Sequence, residues 1–118
     1  MTTVEQPQVG AAGFLAALTA HGYTVAVRDG YAIFSYTVEV GLRAGEQVKI
    51  GLLIPGDWPL SPPPGPHVSP RLSHPGVAVH ASPLGSGWEY WSRPASHWAS
   101  DRSMRAYLRH LRTLFSQL

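Results

Sequence analysis

Between Ile54 and Val77 the chain reads IPGDWPLSPPPGPHVSPRLSHPGV, eight prolines in twenty-four residues. Proline fixes φ and removes a backbone donor, so a stretch this rich in it is neither helix nor central strand. The expectation is a stiff extended flap, held to the domain by aromatic and prolyl contacts, with Trp58 buried against Pro62, Pro63 and a sheet. Val68 is placed in a short edge strand at most. Two marks punctuate the flap: the block Trp58-Pro59-Leu60-Ser61-Pro62-Pro63 and, eleven residues after Pro63, the turn His74-Pro75-Gly76.

On the N-terminal side of the flap the chain reads as one helix and a sheet. Residues 9–20 form the helix, with Pro7 before its start, Phe14, Leu15 and Leu18 on one face and Gly22 at its stop. Tyr23 to Arg28 alternates as a strand, and Asp29-Gly30 is a hairpin turn. Tyr31 to Val40 comes next, with Phe34, Tyr36, Val38 and Val40 on one side. Gln47 to Ile54 then puts Val48, Ile50, Leu52 and Ile54 on one side. These three runs predict an antiparallel meander with one buried face.

On the C-terminal side the chain is irregular and then helical. Val77 to His80 is a brief extended piece, SPLGSG is a loop, and residues 87–98 concentrate Trp88, Tyr90, Trp91 and Trp98. Ser100 or Asp101 caps a final helix. There Met104, Tyr107, Leu108, Leu111, Leu114, Phe115 and Leu118 share one side at about 100° per residue, beside a stripe of Arg102, Arg105, Arg109 and Arg112. The whole is expected to be a single α+β domain over residues 1–118, with three to four meander strands packed on an N-terminal and a C-terminal helix.

Composition narrows the chemistry. With 118 residues and 44% hydrophobic content the chain supports one core, while 14% charged residues leaves a surface that a partner can cover. A net charge of +2 is too small to argue for nucleic acid. There is no cysteine, which excludes disulfides, thiolate metal sites and a thiol nucleophile. No run approaches membrane-spanning length, and MTTVEQPQVG lacks the basic region of a signal peptide, so the reading is cytoplasmic.

Helix, meander, proline flap, His-Pro turn, irregular loop and amphipathic helix together resemble the ubiquitin-conjugating (UBC) fold. Trp58, Pro59, Pro62 and Pro63 match that family's aromatic-Pro-x-x-Pro-Pro flap. His74 and Pro75 match its His-Pro-Asn turn, and Trp98 matches the tryptophan before the helix behind the active site. The resemblance covers roughly residues 9–118 and implies a fold without the family's usual C-terminal helices. It departs where the chemistry is done. The family's catalytic cysteine lies several residues past the turn, and here that region runs from Val79 to Ser86 without a thiol. The asparagine that supports the oxyanion is replaced by Gly76. Similarity therefore points to the cysteine-lacking bacterial members, found beside ubiquitin-like proteins, and to inactive variants. It implies a prokaryotic non-catalytic module whose partner is a ubiquitin-like protein or its activating enzyme.

Other constellations are weighed beside this one. His67, His74 and His80, with six and five intervening residues, repeat no familiar metal-ligand spacing, so no metal and no cofactor is expected. His74 is expected to make a structural hydrogen bond at the turn. Ser82 or Ser86 with His80 lacks a third group to orient the histidine. The candidate binding residues are Trp58, Pro62, Pro63, His74, Trp88, Tyr90, Trp91, Arg105 and Arg109. The tryptophans are either a cap on the core or a binding surface, and the arginine stripe meets either solvent or an acidic partner. A groove for an extended or proline-rich tail is the alternative function, with a Ser/His enzyme behind it.

Overall fold

Side-chain alternation decides the sheet. In the computed structural model, which describes residues 9–118, Ala32, Phe34 and Tyr36 are buried while Ser35 and Thr37 face outward. This strand is β2 (Tyr31–Thr37). It pairs along its whole length with β3 (Gln47–Leu53), from Tyr31↔Leu53 to Thr37↔Gln47. A short β1 (Ala26–Arg28) lies along the other side of β2, joined through the Asp29-Gly30 turn. β1 starts at Ala26 rather than Tyr23 because the end of the first helix captures Tyr23. Its N–H donates to the Leu18 carbonyl, and its ring packs 4.7 Å from that of Phe34. β2 stops at Thr37, short of Val40, where the chain enters the turn around Gly41.

The sheet has six strands, all antiparallel, in the order β1-β2-β3-β4-β6-β5. β4 is His67–Ser69, β5 is Ala78–Ala81 and β6 is Glu89–Ser92. Two sequence expectations are corrected here. Val68 is fully buried in an interior strand, between β3 and β6, rather than on an edge. The proline argument fails locally because His67, Val68 and Ser69 are themselves free of proline, and three residues suffice for a ladder bounded by Pro66 and Pro70. The tryptophan-rich run, expected to be irregular, contains a strand: Glu89–Ser92 pairs with β4 on one side and with β5 on the other. Gly65 makes this crossing possible, since a Cβ there would collide with the Trp91 carbonyl oxygen.

Both helices cover one face of the sheet. α1 (Gly10–Ala20) buries Phe14 and Leu18, and α2 (Met104–Ser116) buries Met104, Tyr107, Leu111, Leu114 and Phe115. Phe115 packs its ring 5.2 Å from Tyr36 and 5.0 Å from Trp91, joining β2 and β6 through one residue. α2 is capped by Ser103, whose hydroxyl accepts the Ala106 N–H at 3.1 Å. Ser100, expected as the cap, lies in a 3₁₀ turn, Trp98–Ser100. Asp101, the other expected cap, instead accepts a hydrogen bond from Arg109. Arg102 precedes the helix, so the arginine stripe on α2 itself is Arg105, Arg109 and Arg112.

The flap is fastened to the helices rather than lying loose. Trp58 is 3% exposed, its ring 5.0 Å from Phe14 and 5.4 Å from Trp98. Its carbonyl accepts the Gly10 N–H, and Trp98 Nε1 donates to the Pro59 carbonyl at 2.9 Å. Tyr107 donates to the Pro64 carbonyl at 3.0 Å. Two of these three acceptors are proline carbonyls, the one backbone hydrogen-bonding group proline retains. No helix of the described residues is long and apolar enough to cross a membrane.

Candidate binding groove

Away from the helices, the second face of the sheet carries the remaining aromatics. The pairings Gly51↔His67 and His67↔Tyr90 set His67 between strands β3 and β6, and His80↔Tyr90 extends the row to β5. The His67 ring stacks on Tyr90 at 4.6 Å and meets Tyr31 edge-on at 4.9 Å. Over this row folds the loop from Ser82 to Trp88. Leu84 and Trp88 lie over Gly51, where an added Cβ would stand 2.5 Å from Leu84 Cδ1 and 3.4 Å from the indole. Arg28 of β1 reaches across to the Leu84 carbonyl.

Ser82 pins the start of that loop. Its Oγ accepts the Leu84 N–H at 3.1 Å and shares a hydrogen bond of 2.8 Å with His67 Nδ1. His67 is 6% exposed, and burial lowers its pKa to about 4, so the ring is neutral at physiological pH. A base so weak takes a proton from a serine poorly. Among the described residues nothing hydrogen-bonds to its Nε2, so the orienting group of a catalytic triad is missing. The pair is a fastening. The partner expected from sequence, His80, lies beyond Tyr90, its ring 6.1 Å from the phenol.

Beside β5 and the Ser82–Trp88 loop lies an open groove of about 780 Å³, lined by Arg71, Ser73, His80, Ser82, Ser86 and Trp88. Its floor includes Glu89, 3% exposed, whose Oε1 accepts three N–H groups: Leu72 and Ser73 at 2.7 Å and Trp91 Nε1 at 2.9 Å. Glu89 therefore shapes the Leu72–Ser73 turn, where Ser73 holds φ at 54°. Sequence reasoning passes over it. The available signal is an isolated acid among Trp88, Tyr90 and Trp91, since a carboxylate in an aromatic cluster must find donors. The groove's outer rim is β5, the end strand of the sheet, with all four residues exposed.

The sequence-derived candidates divide into four places. Trp58, Pro63, His74 and Trp91 are buried and hold the core together. His74 does so through Nε2, which donates to the Leu114 carbonyl at 2.7 Å, and through Nδ1, which accepts the Gly76 N–H at 2.9 Å. Pro62 is half-buried in the flap. Trp88 and Tyr90, both half-buried, belong to the groove face. Arg105 and Arg109 are exposed on α2, away from it. Of the three histidines, His67 and His80 share a face on either side of Tyr90, and His74 is separated from them in the core against Trp91. Compared with protein-family models, curated proteins and solved structures, the chain gives no significant match.

Proposed function

We propose that this chain is a non-catalytic binding module of ubiquitin-conjugating type. It holds a ubiquitin-like protein, or the enzyme that activates one, in a prokaryotic cytoplasm and forms no covalent bond to it. The observation that carries the reading is where the His74-Pro75-Gly76 turn leads. It delivers the chain directly to the rim of an open groove that is lined by serine hydroxyls and holds no thiol. A thioester needs a thiolate, and the chain contains no cysteine. Ser82 has a histidine neighbour, but one held far too weak a base to activate it. Gly76 offers no side-chain donor to an oxyanion, a loss worth about 3–4 kcal/mol of barrier in acyl-transfer enzymes. What remains is a surface for holding.

The test is incubation with activating enzyme, ATP and the ubiquitin-like protein, then a denaturing gel and calorimetry. Binding without an adduct is expected, with Trp88→Ala weakening it. An adduct that disappears in the Ser82→Ala, Ser86→Ala double variant would refute the non-catalytic reading.

A second reading has its own observation. Among the described residues, β5 leaves one side of its backbone unpaired, next to a groove with an exposed arginine and histidine. An extended peptide can add to such an edge as a further strand. Binding of an isolated tail peptide as tightly as the whole ubiquitin-like protein would favour this narrower role.

A further inference from the structure

The exposed arginines of α2 have a counterpart that their sequence stripe does not reveal. Tyr36 rises from β2 beneath the helix, 3% exposed, with its ring packed on Phe115 at 5.2 Å and stacked toward Tyr23 at 6.5 Å. Its hydroxyl is buried and has no hydrogen-bond partner among the described residues. A buried hydroxyl without a partner costs about 1–3 kcal/mol, and native proteins rarely leave one so. It borders a small cavity of about 280 Å³ whose other walls include Tyr23, Glu39, Arg105, Arg109 and Arg112. His21, just past the end of α1, completes the rim.

The charges around this cavity are unevenly matched. Arg112 pairs with Glu39 at 3.1 Å and Arg109 with Asp101 at 3.1 Å, both pairs exposed. Arg105 has no carboxylate partner among the described residues. Three guanidinium groups thus face two carboxylates, with a histidine alongside, and both pairs are of the exposed kind that contributes little and opens readily. Burial, Glu39 and Tyr23 raise the Tyr36 pKa to about 12, while Arg112 pulls the other way, so the hydroxyl keeps its proton and is a donor. Donors therefore converge from the helix above and the strand below. A planar carboxylate cannot meet both directions well, and one is already present in Glu39. A tetrahedral dianion can, and its second charge lets it displace Glu39 from Arg112.

We infer that the cavity between α2 and β2 binds a phosphoryl group, taking hydrogen bonds from the Tyr36 hydroxyl and the guanidinium groups of Arg105 and Arg112. The site lies on the helix side of the sheet, apart from the β5 groove, and is independent of the function proposed above. Either free phosphate or a phosphoryl group carried on a larger molecule has the required chemistry.

Thermal melting and calorimetry with inorganic phosphate at neutral pH test it, against chloride at matched ionic strength and against acetate. The wild-type chain is expected to melt higher in phosphate than in either other salt. Arg105→Gln and Tyr36→Phe should each weaken phosphate binding about tenfold, the loss of one charge-assisted hydrogen bond. Without phosphate, Tyr36→Phe should melt no lower than wild type, since it removes an unpartnered polar atom. Equal protection by chloride or acetate overturns the inference. So does unchanged phosphate affinity in both variants, or a lower melting point of Tyr36→Phe in phosphate-free buffer. O-phosphoserine amide separates the two sources: affinity at or above that of inorganic phosphate assigns a carried group, and lower affinity assigns the free ion.

Discussion

Trp58 and His67 are both buried, at 3% and 6% exposed, and burial does different things to each. Trp58 closes the gap between α1 and the turn before α2, touching Phe14 and Trp98. Trp58→Ala should cost about 3–5 kcal/mol, as full truncation of a buried aromatic does, read as a lower denaturant midpoint. The motif Trp-Pro-x-x-Pro-Pro announces this burial, but the aromatic partners come from segments about 40 residues away in either direction, which no local pattern names. His67 makes a statement about pH. Unfolded, it takes a proton near 6.5; folded, burial delays this to about 4. The unfolded chain therefore binds more protons between those values, and stability falls as pH drops through that window. The stability is fully present above 6.5, and His67 takes away no more below 4. His110 is shifted in the same direction by burial, so the measurement is the difference between wild type and His67→Gln in melting temperature from pH 7 to 4. A shallower dependence in the variant is expected, and parallel curves would remove His67 as the cause.

At the scale of elements, legibility tracks the period of the side chains. β2, β3 and α2 are readable because Phe34/Tyr36, Ile50/Leu52 and Tyr107/Leu111/Leu114 repeat at the spacing of their backbone. β4 and β6 are not. β4 is three residues between prolines, and β6 reads Glu89-Tyr90-Trp91-Ser92, where the buried-face residue Glu89 is an acid that satisfies itself through three N–H donors. Both of its neighbours on the sheet are distant in sequence or across a loop, so its identity as a strand rests on tertiary pairing. The groove is hidden for the same reason: Ser82 and His67 stand fifteen residues apart with no motif between them. The start of α2 shows how far an end can drift. Ser100, Asp101 and Ser103 all suit a cap, and the structure uses the last. Ser103→Ala should lower stability by about 1 kcal/mol, whereas Ser100→Ala, in the preceding turn, should stay within about 0.5 kcal/mol of wild type in the same denaturation assay.

Taken as a whole, the described residues put two helices on one side of the sheet and the Ser82–Trp88 loop on the other, with few charges to guard what is left. The chain carries 14% charged residues, and β5, Ala78-Val79-His80-Ala81, has neither proline nor an ionic side chain of fixed charge at an open edge. Natural edges are usually blunted by lysine or proline. Val79, 38% exposed, is the place to add one. Val79→Lys should change the melting temperature little and weaken capture of an extended partner at least severalfold in a pull-down or titration. Unchanged capture would move the binding surface elsewhere. The same edge has a consequence in the time domain. In an antiparallel end strand, successive residues turn their amides alternately toward the neighbour and toward water. Deuterium should therefore enter β5 in a two-residue rhythm, fast at the outward amides and slow at those bonded to β6. A bound strand would erase the rhythm by slowing the fast half alone.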